Sequence, residues 1–234
     1  KRFEKGVIHG LSACSAVSDE DGRILRNLTG DAKPVYTLPN GVDTQYFKGT
    51  STQDQEDAVV FTGSMDWFPN DDAAVYFCED ILPLIWKERP EVKFYIVGKA
   101  PSQRLKELSN GEPRIVITGR VDDVRVFVNR SKVFVVPLRI GGGTRLKILE
   151  AMSMEKAVVS TTIGAEGIGH MGDINIVLAD KPAAFAQKVV SLIDDGERRR
   201  SLGEAGRKLV LEKYDWNIVG EELCNVYERT KNKN

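Results

Sequence analysis

The residues best suited to chemistry lie in the run 137–152, PLRIGGGTRLKILEAM. The run indicates a strand end, a turn of three glycines and a helix. Glycines remove every Cβ from the turn, so the backbone can bend sharply and approach a ligand closely. A helix that opens after such a turn directs free N–H groups and its positive dipole end at whatever lies there. The occupant that this arrangement favours is an anion, above all a phosphate.

Two basic residues and a carboxylate accompany the turn. Arg145 and Lys147 fall in the predicted first turn of the helix, where their charges are unfavourable unless an anion is bound. Glu150 carries a carboxylate that can accept from two adjacent hydroxyl groups. The motif therefore predicts a phosphate site. The alternatives are a surface turn with solvated basic residues and, for Glu150, an exposed glutamate paired with Lys147.

Strands and helices alternate around this motif. Strands are predicted at residues 59–62, 92–97, 114–118, 132–138, 157–161 and 175–178, and helices at 72–89, 103–109, 122–131, 144–154, 182–194, 197–213 and 215–230. The strands are continuous apolar runs, which is typical of parallel sheets covered on both faces. We predict an α/β protein with a doubly wound, Rossmann-like parallel sheet, preceded by a separate strand–helix piece at residues 11–28.

Several predicted strands end in glycine, at Gly63, Gly98 and Gly119 as well as at the opening motif. In open α/β sheets these carboxyl ends form the edge where ligands bind. The first strand is followed by GSMDWFPN, without a GxGxxG fingerprint, and the chain has no Walker sequence. An NAD enzyme and a P-loop ATPase are therefore disfavoured.

The composition is that of a soluble globular protein, with 41% hydrophobic and 29% charged residues among 234. A net charge of −1 gives no general attraction to nucleic acid. Three scattered cysteines suit a reducing compartment and predict no metal site. His9 and His170 have no neighbours that suggest a catalytic triad. No apolar run is long enough for a membrane span, and no signal peptide is visible.

The order of several segments resembles the second half of glycosyltransferase family 4, GT-B enzymes known as glycosyl transferases group 1. The segments are PNGVD, FTGSMDWFPN, YIVG, TGRVDDV, VPLRIGGGTRLKILEAM, VVST and the YDW near the end. In that family the C-terminal domain holds a nucleoside diphosphate sugar and the N-terminal domain holds the acceptor. The resemblance thus implies a UDP-, GDP- or ADP-sugar as donor substrate, no cofactor and no metal.

The resemblance also implies a domain organisation. Residues 1–34 are expected to be a remnant of the N-terminal acceptor domain and linker, 35–214 the donor-binding domain, and 215–234 the C-terminal crossover helix. With the acceptor domain otherwise missing, we expect this chain to bind the donor without transferring sugar. The full-length enzyme is expected to be cytoplasmic, meeting a peripheral membrane acceptor at the inner face of the membrane.

The family's residues carry over only in part. Glu150 matches the second glutamate of a Glu-x7-Glu motif, which implies a contact with the ribose hydroxyls. The first glutamate falls on Gly142, so its contact with the donor sugar is missing or supplied otherwise. The family's Arg…Lys pair falls near Ser64 and Asn70, and Arg145 and Lys147 are predicted to replace it.

Other positions complete the expected donor site. Backbone donors at Gly143, Thr144 and Arg145 are assigned to the β-phosphate, with Gly142 and Gly63 beside them. Gly119, Arg120 and Val121 are assigned to the base, the alternative being a plain β–α turn. Glu166 either faces the cleft or is a turn acid, and Trp67 is expected to pack.

The resemblance implies transfer of a sugar with retention at the anomeric carbon, in polysaccharide biosynthesis. Arg145 and Lys147 would stabilise the departing diphosphate electrostatically. The alternatives are a nucleotide-sugar binding module without catalysis and a GT-B-like sugar epimerase.

Overall fold

The structure is a computed structural model that describes residues 6–8, 10–30, 33–49, 55–169 and 172–231. His9, His170 and residues 50–54 lie outside these ranges. Across the described residues, the search for a helix of sufficient length and apolarity to cross a bilayer finds none.

A small unit at the start of the chain consists of β1 (Cys14–Ala16), α1 (Asp19–Thr29) and β2 (Val35–Thr37). The two strands pair in parallel, apart from the large sheet. Ser18 caps α1 by accepting from the Asp21 N–H, as its residue type predicts, and Gly30 ends the helix in the left-handed conformation. Strand β2, which begins at residue 35, thus pairs with β1 and not with the main sheet. The domain boundary at residue 35 stays a prediction.

Six strands form the main sheet. They are β3 (Glu56–Thr62), β4 (Lys93–Val97), β5 (Ile115–Gly119), β6 (Ser131–Val136), β7 (Ala157–Ser160) and β8 (Val177–Leu178). All neighbouring pairs are parallel, in the order β5-β4-β3-β6-β7-β8. The chain runs outward from β3 to β5, crosses back to β6 and continues to β8. This order confirms the predicted doubly wound sheet and puts its switch point between β3 and β6.

Helices connect and cover these strands. They are α2 (Phe68–Tyr76), α3 (Leu82–Glu88), α4 (Gln103–Ser109), α5 (Arg125–Arg130), α6 (Leu146–Ser153), α7 (Pro182–Asp194), α8 (Gly196–Lys213) and α9 (Trp216–Lys231). The central strands are almost entirely buried. Phe77 packs between Phe94 of β4 and Phe185 of α7, with ring centroids 4.4 and 6.0 Å away. Continuous apolar strands are therefore covered on both faces, as their composition indicates.

The helix predicted at 72–89 differs from the structure. It begins earlier, at Phe68, and contains a π-helical turn over Phe77–Ile81 before α3. Pro83 lacks an N–H and its ring would clash with the carbonyl four residues earlier. The wider π turn, in which the Leu82 N–H bonds to the Phe77 carbonyl, accommodates this proline.

The last helix is anchored beside residue 42. The Val42 N–H donates to the Tyr214 carbonyl at 2.7 Å, and the Thr44 hydroxyl donates to the Asp215 carboxylate. The apolar side chains of this helix are only partly buried, since Val219 and Val226 are covered while Tyr227 is 69% exposed.

Candidate functional site

A cleft of about 630 Å³ lies at the carboxyl edge of the sheet, beside the switch point. It is lined by Phe47, Thr62, Gly63, Ser64, Val97, Gly98, Lys99, Arg120, Val121, Val124, Lys147 and Glu150. Five of the predicted site residues thus share one cleft: Gly63, Arg120, Val121, Lys147 and Glu150. The topology brings them together, because β3, β4 and β5 all end at this edge.

The strand-end glycines form the floor of the cleft. The Gly98 N–H donates to the Gly119 carbonyl at 3.2 Å, which places Gly119 next to the lining residues. A Cβ atom on Gly98 would overlap the Gly63 carbonyl oxygen. Glycine is therefore required here for the close approach of two backbones.

Lys147 lies half-buried at the centre of the site. Its Nζ donates to Oδ1 of Asn70 at 2.8 Å and lies 4.1 Å from the centroid of the Phe61 ring. A Cβ atom on Gly63 would lie 2.8 Å from the same Nζ, so a larger residue at 63 would displace the ammonium group. Burial, assisted by the charge of Arg145, lowers the pKa of Lys147 to about 7.

Asn70 positions Lys147, a role that the sequence did not predict. Its amide nitrogen donates to the Ser64 carbonyl at 2.9 Å, so the side chain is oriented with its oxygen toward Nζ. The sequence marks Asn70 only by its position, near which the family's Arg…Lys pair falls. The structure shows that the ammonium group of Lys147 reaches this position from the crossover after β6, the strand that neighbours β3 in the sheet.

Glu150 follows Lys147 by one turn and lines the same cleft. Burial raises the pKa of its carboxyl group, while the neighbouring charge of Lys147 opposes that rise. No ion pair within 4.0 Å joins the two side chains in the described part of the chain. The alternative of an exposed surface pair is therefore wrong.

The glycine turn itself lies beside the cleft. Helix α6 begins at Leu146, two residues later than predicted, because Gly143 is left-handed (φ +81°) and Arg145 is extended. Gly142, Gly143 and Thr144 precede the helix and do not line the cleft. The helix therefore directs the N–H groups of Leu146 and Lys147, rather than those of residues 143–145, from its first turn.

Arg145 is held in this turn with donors to spare. One terminal nitrogen donates to the Gly142 carbonyl at 2.6 Å, while Nε and the other terminal nitrogen are buried without a hydrogen-bond partner. The hydroxyl of Thr144 is likewise buried and unpartnered. Burial lowers the pKa of Arg145, and the charge of Glu166 opposes this. Unpaired buried donors cost free energy, which an anionic ligand would recover.

One further expectation is wrong at this edge. Trp67 was expected to pack, but it is 64% exposed, because it lies at the N-terminus of α2 where the chain leaves the sheet edge. Arg120 is exposed beside Val121 at the rim of the cleft. Within the described residues, no cluster of three or more side chains is arranged to hold a metal ion.

A larger cavity of about 800 Å³ lies at the opposite, amino-terminal edge of the sheet. Two of its basic side chains already donate hydrogen bonds to backbone carbonyls of the protein. Lys156 donates to the Asn129 and Ser131 carbonyls at 2.8 and 3.0 Å, and Arg199 donates to the Leu192 and Ile193 carbonyls. These contacts satisfy helix ends and loops, so the smaller cleft is the candidate site.

The fold and the site define a doubly wound α/β domain with a cationic cleft at its switch point. The family model Glycosyl transferases group 1 matches residues 56–195, and the chain belongs to this family. The resemblance drawn from the sequence is thereby confirmed, and the chain is a GT-B glycosyltransferase domain.

Individual relatives agree with this family. The chain is 28% identical over 204 residues to phosphatidyl-myo-inositol mannosyltransferase of Mycobacterium tuberculosis, which covers 82% of this chain and 53% of that protein. It is 29% identical over 143 residues to the capsular polysaccharide biosynthesis glycosyltransferase CapM of Staphylococcus aureus, covering 58% and 37%. The chain spans about half the length of the curated relatives it matches.

A solved structure shares the fold. A variant of S. aureus TarM, in complex with fondaparinux, alpha-GlcNAc-glycerol and UDP, superposes with a TM-score of 0.78 at 20% identity. The match covers 97% of this chain and 46% of that one.

Proposed function

We propose that the switch-point cleft binds a nucleoside diphosphate sugar and that the chain is the donor half of an enzyme that transfers this sugar. The observation that carries the proposal is the state of Lys147. Its ammonium group is buried over Phe61, and its hydrogen-bond partner is the neutral amide of Asn70. A buried charge without a counter-ion is costly, and a diphosphate bound beside it would supply that counter-ion.

Arg145 supports the same assignment. Its two unpartnered buried nitrogens lie in the turn that leads into Lys147. Together the two cations offer the paired charges that a diphosphate requires. The UDP bound by the structurally similar TarM variant supports a nucleotide donor, with UDP, GDP and ADP as the candidates to be tested.

The rest of the nucleotide has matching partners along the cleft. Glu150, facing the same space as Lys147, would accept hydrogen bonds from the ribose hydroxyls. Arg120 and Val121 form the rim at the end of β5, where the base would lie against backbone and an apolar side chain. The cleft volume of about 630 Å³ is within the range of small-molecule sites.

The proposed chemistry is electrostatic. The bond between the anomeric carbon and the diphosphate oxygen breaks, and a bond to an acceptor hydroxyl oxygen forms on the same face, as retention requires. The proton of that hydroxyl passes to the departing diphosphate. Lys147 and Arg145 stabilise the negative charge that develops on the leaving diphosphate. This role needs no protein nucleophile and no metal.

The acceptor belongs to the remainder of the proposal. We propose that a further domain supplies the acceptor site, that the longer enzyme meets a membrane-associated acceptor, and that residues 215–234 pack on that domain. The exposed apolar side chains of α9, such as Tyr227, support this packing. The capsular polysaccharide relative CapM supports a role in polysaccharide biosynthesis.

The first test is binding. Titration calorimetry with UDP, GDP and ADP should identify one nucleotide that binds the chain. A variant carrying both Arg145→Ala and Lys147→Ala should lose this affinity, whereas Lys156→Met, which changes the buried lysine at the opposite edge, should retain it. Unchanged affinity in the double variant would show that the diphosphate site is misassigned.

The second test is transfer. The 234-residue chain is expected to bind nucleotide sugar without transferring it, and the longer protein is expected to transfer it. Robust transfer by the chain alone would refute the need for a separate acceptor domain. Binding without transfer by the longer protein would instead support a nucleotide-sugar binding module.

A further inference from the structure

The turn after β7 is fastened to the glycine turn before α6. The Thr161 hydroxyl accepts from the Gly164 N–H at 2.9 Å and donates to the Leu138 carbonyl. A Cβ atom on Gly167 would lie 2.7 Å from the Thr144 hydroxyl oxygen, so the two turns are in close contact. The intervening residue, Glu166, is therefore presented from a fixed backbone.

The carboxylate of Glu166 lies over the glycine turn. A Cβ atom built on Gly142 would be 4.0 Å from Oε2 of Glu166, and no other heavy atom outside the adjoining residues comes as close. The carboxylate has no hydrogen bond or ion pair within the described ranges, and the residue is exposed. Both groups are exposed, so a ligand on the solvent side of the turn can contact the carboxylate and the glycine backbone together.

The groups around this space suit a ligand that carries both hydrogen-bond acceptors and hydrogen-bond donors. Arg145 and Thr144 offer unpartnered donors, which suit phosphate oxygens. The carboxylate of Glu166 lies beside the turn to which Arg145 is hydrogen-bonded, and its charge opposes the effect of burial on the pKa of Arg145. A diphosphate by itself presents only acceptors and would be repelled by Glu166. A diphosphate joined to a group rich in hydroxyls would satisfy both the donors and the carboxylate.

We propose that Glu166 determines specificity for the sugar of the donor: its carboxylate accepts hydrogen bonds from hydroxyl groups of the transferred sugar and excludes sugars that carry a carboxylate. This inference rests on the proposed function and identifies the class of substrate as neutral hydroxylated sugars. Glu166 contacts the bound sugar in this assignment, while Arg145 contacts the diphosphate to which the sugar is attached.

The experiment compares affinities by titration calorimetry for UDP, GDP or ADP, whichever binds, for the neutral hexose form of that nucleotide and for its uronate form. In Glu166→Ala the hexose nucleotide should bind about tenfold more weakly, the loss expected for a hydrogen bond to a charged group. The nucleoside diphosphate should bind at least as tightly as before. The uronate nucleotide should gain affinity, because the repelling carboxylate is gone.

Two variants control this comparison. Glu197→Ala removes an exposed carboxylate at the opposite edge of the sheet and should change none of the three affinities. Adding Gly142→Asp to Glu166→Ala returns a carboxylate to the same space, since a Cβ atom at 142 meets no heavy atom closer than 4.0 Å and that atom belongs to the Glu166 carboxylate that this variant removes. This double variant should recover part of the hexose affinity, which a merely structural role of Glu166 would not produce.

The outcomes separate the two proposals. If the wild-type chain binds none of the three nucleoside diphosphates, the proposed function fails. If it binds one of them but Glu166→Ala weakens the diphosphate and the hexose nucleotide equally, or weakens neither, the role assigned to Glu166 is overturned while the donor site stands.

Discussion

The pKa of Lys147 makes donor binding dependent on pH near neutrality. With a pKa of about 7 in the free protein, the ammonium form accounts for about 90% of molecules at pH 6 and about 10% at pH 8. A bound diphosphate favours that form and holds the proton. We therefore expect the affinity for a nucleoside diphosphate sugar to fall about tenfold between pH 6 and pH 8, with proton uptake on binding at pH 8.

The ligand for this measurement should be a nucleotide sugar rather than a free diphosphate. A terminal phosphate gains a second charge near pH 6, which would change the affinity in the opposite sense. Calorimetry in two buffers of different ionisation enthalpy then reports the protons taken up. Lys147→Met should bind about tenfold or more weakly at pH 6 and should show no such pH dependence, because no ammonium group remains to titrate.

Lys147→Met, which should weaken donor binding, should stabilise the folded protein at neutral pH. The folded pKa of about 7 lies below the ordinary value of 10.5, so the unfolded chain binds more protons between these values. Wild-type stability should therefore rise with pH across this window. The difference between the two pKa values corresponds to a loss of folding stability on the order of 4 kcal/mol at pH 7. After a loss of about 1–3 kcal/mol for the unpartnered Asn70 amide, Lys147→Met should be more stable at pH 7, with the difference shrinking toward pH 10.

Two controls isolate Lys147. Lys156 is buried and its pKa is also lowered to about 7, chiefly by burial, but it lies at the other edge of the sheet. Lys156→Met should therefore leave both the affinity and its pH dependence unchanged. Glu150→Gln removes the carboxyl group that lines the cleft and should keep the slope between pH 6 and 8. Equal affinity of the wild type at pH 6 and pH 8 would refute the reasoning about Lys147.

Three further perturbations address the fold around the site. Gly98→Ala would force a Cβ into the Gly63 carbonyl oxygen, so thermal unfolding should show a loss of about 2 kcal/mol or more; a normal melting temperature would contradict the close approach. Asp215→Asn should cost about 0.5–2 kcal/mol in denaturant unfolding at pH 7. Its hydrogen bond from Thr44 lowers the pKa of the carboxyl below 3.8, so wild-type stability from this group is lost as pH falls through that lowered pKa, and a difference that persists unchanged in acid would exclude this origin. Trp67→Ala, at a side chain that is 64% exposed, should change stability by less than about 0.5 kcal/mol, and a larger loss in thermal unfolding would reveal packing.

Much of the fold was readable from local patterns. Continuous apolar runs such as that of β4 identified buried parallel strands, and Ser18 marked the start of α1 through its capping hydroxyl. Helix interiors were harder, since residues 72–89 were predicted as one continuous helix although Pro83 lies within them. Whether a proline produces a kink or a π turn depends on how the neighbouring turns pack, as Phe77 does here against β4 and α7.

The residue types of the site were also present in the sequence, but their contacts were not. Arg145, Lys147 and Glu150 could be singled out because basic residues and a carboxylate surround a turn free of side chains. The sequence could not predict that Arg145 stays in the turn while Lys147 enters the cleft. This arrangement follows from the helix starting at Leu146, which directs Lys147 toward β3 and leaves Arg145 in the turn.

The sequence by itself determined the alternation of strands and helices, the glycine-ended edge and the family, because these depend on residues near one another in the chain. Only the tertiary structure decided that Lys147 meets Asn70, 77 residues away in the chain, and that Glu166 approaches Gly142. Such pairs arise because parallel crossovers bring separate loops to one edge of the sheet. The glycine turn is thus one wall of the site, and the groups that give it chemical character come from the strands and turns on either side.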